Sequence, residues 1–190
     1  RPGQGPRADP VFGARDLLEV YERTNGGAYT GRCTAPLLVD VKAGTIVSNE
    51  SRDIVRMLRA LSPLGSGADL RPPGSAADVD ATNARLHESV NNGVYKAGFA
   101  TSQLAYDAAV KDLFEGLAYV EALLAEPGRP FLLGDCVTEP DVFLLPTVVR
   151  FDAVYHQLFR CSAATTEAYP HLRRWMERMH ALPGVAACFD

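Results

Sequence analysis

Apolar side chains recur at helical spacing near the start of the chain. Leu17 and Leu18 stand four and three positions before Tyr21, which predicts a short helix over residues 14–23. The Asn-Gly-Gly sequence that follows from residue 25 is a stop signal for this helix. The first patterned region of the chain is therefore helical.

The pattern then changes to short β-rich segments. Residues 35–41 and 45–47 are separated by a three-residue loop that ends in Gly44, which predicts a hairpin. Helical spacing returns over residues 52–61, with Asn49 as the predicted N-cap. The predicted order is strand, strand, helix.

A composition change divides the chain. Proline, glycine and serine dominate residues 62–76, which predicts a linker and a domain boundary. Later segments have helical patterns, with one helix predicted over 77–92 and a longer one over 101–125. The apolar stripe predicted for the longer helix comprises Leu104, Ala108, Phe114, Leu117, Leu123 and Leu124.

The sequence that begins at Thr138 is a strong helix start. Thr138 can cap the first turn, and Asp141 can reach back to it and close a capping box. Residues 142–149 are apolar nearly all round, so we expect them to form the buried central helix of a bundle, bent or broken at Pro146. A last amphipathic helix is predicted over 171–181.

Composition narrows the classes of partner. Of the 190 residues, 47% are hydrophobic, and the formal net charge is −4 without a basic stripe, so we expect a packed core and no nucleic-acid partner. No apolar run approaches the roughly 20 residues that span a bilayer, so we expect no membrane partner.

The cysteines and histidines indicate neither a metal site nor a disulfide framework. They form no CxxC pair and no cluster with metal-ligand spacing, so we expect no metal and a reduced, cytoplasmic setting. Isolated thiols of this kind are usually packing residues or inert surface groups. The four cysteines are Cys33, Cys136, Cys161 and Cys188.

Three local motifs resemble those of glutathione transferases. Residues 34–40 and 46–51 resemble the proline and Glu-Ser pattern of glutathione sites. Residues 91–103 and 150–155 resemble the signature of the xi class, the glutathionyl-hydroquinone reductases. The resemblance covers roughly residues 15–188.

The resemblance implies a mainly α fold, in which an all-helical C-terminal domain is preceded by a partial thioredoxin-like α/β unit. The expected partial thioredoxin-like domain covers residues 1–61, the linker 62–76 and the helical domain 77–190. The resemblance also implies a homodimer.

Four residues are the implied glutathione ligands. A cis bond before Pro36 would turn the backbone of Ala35 outward to pair with glutathione in strand fashion, whereas a trans proline would simply open a strand. Glu50 and Ser51 stand at a helix N-terminus, which suits the γ-glutamyl carboxylate and α-amino group. Plain helix capping would select the same two residues.

Two tyrosines are the implied contacts of an aromatic quinol. Tyr95 could hydrogen-bond a quinol oxygen or donate a proton to the carbon that loses the glutathionyl group, and is therefore the catalytic candidate. A packed aromatic residue is the alternative for Tyr95. Tyr155 is a second substrate contact, while Arg150 and Asp152 more simply form an architectural ion pair.

One expected part of the family pattern has no counterpart. Family members carry a Cys-Pro-Trp-Ala helix start whose cysteine attacks the glutathionyl group, and we expect that segment to be missing because the chain starts after it. Cys33 stands three residues before Pro36, but no predicted helix N-terminus lies beside it to make it a nucleophile, so we do not expect it to replace that cysteine. The expected function is therefore a glutathione-dependent reductase of glutathionyl-hydroquinones that is inactive as this chain, with a non-catalytic helical interaction module as the alternative.

Overall fold

The computed structural model describes residues 8–61 and 69–189. The chain divides into two compact units, residues 1–67 and 68–190. Residues 62–68 of the expected linker lie outside the described residues, so the proposed domain limits stay a prediction.

The first unit has the predicted helix, hairpin and helix. Helix α1 covers Leu17–Asn25, strands β1 and β2 cover Leu38–Asp40 and Thr45–Ser48, and helix α2 covers Ser51–Ala60. The strands pair in antiparallel fashion, and Gly44 has a φ of +66°, which glycine adopts without a steric penalty. The predicted hairpin is confirmed.

The N-cap predicted for α2 is wrong. The residue at the cap position is Glu50, and its side chain makes no capping hydrogen bond. The side-chain amide of Asn49 instead donates to the hydroxyl of Tyr21 and to Oγ1 of Thr34. The Asn49 side chain is therefore engaged by residues distant in sequence and does not cap α2.

The second unit is helical, as the resemblance implies. The segment predicted as one helix over 77–92 is an α-helix continued by a π-helical turn. The α-helices are α3 at Ala76–Leu86, α4 at Gly93–Gly98, α5 at Gln103–Leu124, α6 at Glu139–Arg150, α7 at His156–Leu158 and α8 at Pro170–His180. Two π-helical turns cover His87–Asn91 and Phe151–Tyr155.

The buried stripe of α5 differs from the predicted one. Leu104 is 82% exposed, and the buried positions are Ala109, Leu113, Gly116, Leu117, Val120 and Leu124. A Cβ added at Gly116 would lie 2.9 Å from the side-chain carbons of Ser89 and Val90. The stripe is therefore set by the close approach of the first π-helical turn, which the spacing of large apolar residues does not reveal.

The capping box at the start of α6 is confirmed. The carboxylate of Asp141 accepts the backbone N–H of Thr138 at 3.0 Å and its hydroxyl at 2.9 Å. Pro146 does not break α6, which remains helical as far as Arg150. The helix is held by its buried apolar contacts despite the N–H that proline lacks.

Helix α8 receives its N-terminal cap from another helix. Glu121 of α5 accepts the backbone N–H groups of His171 at 3.0 Å and Leu172 at 2.9 Å. Burial raises the pKa of Glu121, but these backbone donors and the His171 ring more than offset that effect and hold the pKa below its ordinary value. The ionised carboxylate thus contributes to folding.

Replacing Glu121 with glutamine is expected to lower the free energy of unfolding by about 1–2 kcal/mol at neutral pH, since a neutral amide is a weaker cap. Because the folded-state pKa is depressed, the contribution is present above about pH 4.3 and is lost as the pH falls through the folded-state value. Urea unfolding of both proteins from pH 6 to pH 3 should show the two stabilities converging. Glu115→Gln, an exposed change on the same helix, should change stability by less than about 0.5 kcal/mol.

Candidate functional site

The backbone of Ala35 is available to a ligand. The Ala35–Pro36 peptide bond is cis, as the resemblance implies, and both residues are exposed. Within the described ranges, no other residue hydrogen-bonds the N–H or C=O of Ala35. An extended peptide can therefore pair with this segment as a strand would.

The first turn of α2 is also open. Glu50 and Ser51 are exposed, and the Glu50 side chain does not cap the helix. The backbone N–H of Glu50 is held by the Ser48 hydroxyl at 3.0 Å, which fixes the approach to α2. Uncapped N–H groups at the start of a helix favour a carboxylate, so the arrangement suits the ligand interpretation better than plain capping.

Four aromatic rings gather on the second unit, and we call them the aromatic cluster: Tyr95, Phe99, Tyr155 and Phe159. The Tyr95 ring centroid lies 5.7 Å from that of Tyr155 and 5.5 Å from that of Phe159, both edge-on. Phe99 lies 5.3 Å from Phe159. Such contacts fix ring orientation, so the cluster holds Tyr95 in a defined position.

The two tyrosines of the aromatic cluster are joined by their hydroxyl groups. The oxygens lie 3.2 Å apart, with Tyr95 42% exposed and Tyr155 only 4% exposed. Burial and then the hydrogen bond with Tyr95 raise the pKa of Tyr155 to about 12, against the opposing effect of Arg150. Tyr155 is therefore a protonated phenol at neutral pH, and it supports the more exposed Tyr95.

The Arg150–Asp152 pair expected from the sequence is not what the two side chains form. Asp152 accepts the backbone N–H of Thr166 at 2.9 Å and also its hydroxyl. The Arg150 guanidinium donates to the carbonyl oxygen of Pro146 at 3.5 Å, and its charge opposes the rise in the pKa of Tyr155. The prediction that these residues are architectural still holds for Asp152, which fastens a later loop.

Phe99 and Phe159 are the members of the aromatic cluster that the sequence analysis missed. Phe99 stands four residues after Tyr95, a spacing that places side chains on one helical face. Phe159 is four residues after Tyr155, so the same signal is present twice. A search for paired aromatics at this spacing would have found both.

The cysteines carry no sign of activation. All four are free, with Cys161 buried, Cys33 partly buried, and Cys136 and Cys188 exposed. Burial raises the pKa of the Cys161 thiol to about 11, which makes it a poor nucleophile. Among the described residues, no three histidine, cysteine, aspartate or glutamate side chains form a group that could hold a metal ion.

A membrane-spanning helix is also absent from the part of the chain that the structure describes, because none of its helices is long and apolar enough to cross a bilayer.

Comparison with known proteins gives matches across both units. Residues 103–178 match the glutathione S-transferase C-terminal domain family. A glutathionyl-hydroquinone reductase of Sphingobium chlorophenolicum is 41% identical over 187 residues, which cover 97% of this chain and 59% of that protein. This chain therefore spans about six tenths of the length of that relative.

Solved structures give the same result. The glutathione-bound structure of a glutathione transferase homologue from Escherichia coli K-12 has a TM-score of 0.90 and 40% identity, covering 96% of this chain and 59% of that one. Glutathione transferase Xi 1 from Trametes versicolor has a TM-score of 0.89 and 40% identity, covering 96% and 64%. Over almost its whole length the chain is therefore similar to members of the xi class of the glutathione S-transferase superfamily, and residues 103–178 match the C-terminal domain family of that superfamily.

Proposed function

We propose that this chain provides the glutathione-binding and quinol-contacting residues of a glutathione-dependent reductase that acts on glutathionyl-hydroquinones. The observation that carries the proposal is the paired hydroxyl groups of Tyr95 and Tyr155 within the aromatic cluster. A phenol that is held by a second, protonated phenol is suited to contact the oxygen of a quinol or to supply a proton. Reductases of this substrate class are among the similar proteins.

Glutathione would bind to the first unit. The N–H and C=O of Ala35, next to Pro36, would pair with the cysteinyl backbone of glutathione. The first turn of α2, with the Ser51 hydroxyl, would bind the γ-glutamyl carboxylate, and Glu50 would accept from the α-amino group. The exposure of these groups and the uncapped start of α2 support this assignment.

The reaction removes a glutathionyl group from a quinol carbon. The cysteine thiolate of the reductase attacks the glutathionyl sulfur, and the sulfur–carbon bond to the quinol breaks. The quinol carbon takes a proton, and a mixed disulfide forms between the cysteine and glutathione. A second glutathione thiol then releases oxidised glutathione and restores the first thiol. Tyr95 would supply or guide the proton, and Tyr155 would orient Tyr95.

These residues alone are expected to bind without turnover. The 190 residues contain no Cys-Pro-Trp-Ala sequence, and the Cys161 thiol is buried with a raised pKa. A cytoplasmic homodimer remains part of the proposal, on the strength of the family resemblance.

Replacing Tyr95 with phenylalanine is expected to weaken binding of a glutathionyl-hydroquinone about tenfold. The ring stays in the aromatic cluster, but the hydrogen bond to the quinol and the contact with Tyr155 are lost. Isothermal titration calorimetry of both proteins with the conjugate measures the change.

Tyr119→Phe is the matched control, because it removes a phenol hydroxyl from the same unit, at a ring that packs under Arg85 instead. It should leave the affinity unchanged. Equal affinities for wild type and Tyr95→Phe would count against a role for Tyr95. Absence of conjugate binding to the wild type would contradict the proposed function and favour the interaction-module alternative.

A further inference from the structure

The hydroxyl of Tyr21 on α1 is a buried junction between two separate segments. Tyr21 is 1% exposed, and its hydroxyl donates to the carbonyl of Thr34 at 2.8 Å while accepting the Thr34 N–H at 3.3 Å. The side-chain amide of Asn49 donates to the same hydroxyl at 3.1 Å. One proton and two lone pairs make up the whole hydrogen-bonding capacity of a phenol, so this hydroxyl is saturated.

A second contact closes the junction into a ring. The Asn49 amide also donates to Oγ1 of Thr34 at 3.3 Å. The donors from Thr34 and Asn49 outweigh the desolvation that would raise the pKa of Tyr21 and hold that pKa below its ordinary value. The three residues therefore form one cooperative unit rather than three independent contacts.

The position of this junction in the chain gives it a functional meaning. Thr34 immediately precedes Ala35, and Asn49 immediately precedes Glu50 and Ser51. The hydroxyl of Tyr21 thus ties together the two segments that the proposed function assigns to glutathione. Tyr21 itself is too deeply buried to touch the ligand.

We propose that Tyr21 is a positioning residue for glutathione, which sets the distance between the Ala35 backbone and the first turn of α2. This inference rests on the proposed function. A tripeptide that bridges both segments gains affinity only if their separation is fixed before it binds, because otherwise it must order them itself. The residue acts through Thr34 and Asn49, without contact with glutathione.

The test is calorimetric titration of reduced glutathione into the full 190-residue chain. Tyr21→Phe should raise the dissociation constant about tenfold, since three hydrogen bonds at the junction are lost. Tyr29→Phe is the matched control: its ring centroid lies 4.7 Å from that of Tyr21, but its hydroxyl takes no part in the junction. Tyr29→Phe should bind glutathione as the wild type does.

Two further measurements separate positioning from general loss of structure. Asn49→Ala should weaken glutathione binding in the same direction, and the double variant should bind no more weakly than Tyr21→Phe within about twofold, because both changes break one junction. Backbone amide resonances of Ala35 and Ser51 should shift in Tyr21→Phe, while those of the aromatic cluster stay in place. If Tyr21→Phe does not fold, Asn49→Ala carries the same comparison.

The positioning role of Tyr21 and the proposed function are contradicted by different results. Wild-type binding with an unchanged constant in Tyr21→Phe and Asn49→Ala overturns the positioning role and leaves the proposed function standing. Strictly additive losses in the double variant also overturn the shared junction. No glutathione binding by the wild type overturns the proposed function, and the positioning role falls with it.

Discussion

Replacing Asp141 with asparagine is expected to lower the free energy of unfolding by about 3–5 kcal/mol, the range for breaking a buried ionic hydrogen-bond network. The carboxylate is fully buried and accepts four hydrogen bonds. Oδ1 accepts the Leu132 N–H at 3.0 Å and the Trp175 ring N–H at 2.8 Å. Oδ2 accepts the N–H and hydroxyl of Thr138.

The size of this effect follows from the all-acceptor nature of the carboxylate. An asparagine amide presents NH2 where one of these oxygens was. Turned toward Leu132 and Trp175 it faces two N–H donors, and turned toward Thr138 it faces one N–H donor and a hydroxyl that can rotate to accept. At least one buried N–H donor then loses its acceptor, at about 1–3 kcal/mol, and the remaining bonds lose the extra strength that a charged acceptor gives. The substitution also weakens the hydrogen-bonded link that this one side chain makes from α6 to Leu132 and to Trp175 of α8.

Urea unfolding followed by far-UV circular dichroism measures the Asp141 effect. Asp112→Asn is the matched control, since it makes the same chemical change on the exposed side of α5, and it should stay within about 0.5 kcal/mol of the wild type. A loss below about 1 kcal/mol in Asp141→Asn would show that the network contributes little to stability.

The features that the sequence predicted are those that neighbouring residues determine. The capping box of Thr138 and Asp141 and the Gly44 turn each depend on residues within a few positions. However, the sequence did not reveal that Asp141 also accepts from Trp175, 34 residues later. The prediction of a local cap was right, and its tertiary role required the fold.

The misses share one physical cause, which is competition from distant contacts. Asn49 has good capping chemistry but donates to Tyr21, 28 residues earlier. The stripe of α5 is displaced because Gly116 admits the first π-helical turn. Local propensity is a weak prior where such tertiary contacts compete.

The candidate site also combines residues that the sequence predicted with contacts that only the fold shows. The motif resemblance predicted Tyr95 and Tyr155 as residues, but their hydroxyl contact spans 60 positions, from α4 to the last residue of the second π-helical turn. Single π turns are often found at functional positions. Here the two π turns lie next to α4 and α7, whose residues Phe99 and Phe159 follow closely in the chain and complete the aromatic cluster.

Replacing Gly98 with alanine is expected to destabilise the helical unit by about 2–3 kcal/mol and to displace Phe159 from Tyr95. A Cβ at Gly98 would lie 2.6 Å from Cδ2 and 2.9 Å from Cβ of Phe159. Since the Phe159 Cβ is attached to the backbone, rotation of its ring cannot relieve the overlap. This steric cost exceeds the roughly 1 kcal/mol by which alanine is favoured over glycine in a helix.

Gly93→Ala provides the matched control for Gly98→Ala, because both glycines belong to α4 but only Gly98 has no room for a methyl group. A Cβ at Gly93 would meet Leu113 at 3.6 Å, which is ordinary van der Waals contact, so Gly93→Ala should leave stability unchanged or raise it slightly. Urea unfolding gives the stability difference, and proton nuclear Overhauser effects between Phe159 and Tyr95 report the ring position. Equal stability of the two variants, with the Phe159–Tyr95 contacts intact in both, would mean that Gly98 is not what allows Phe159 to hold Tyr95 in place.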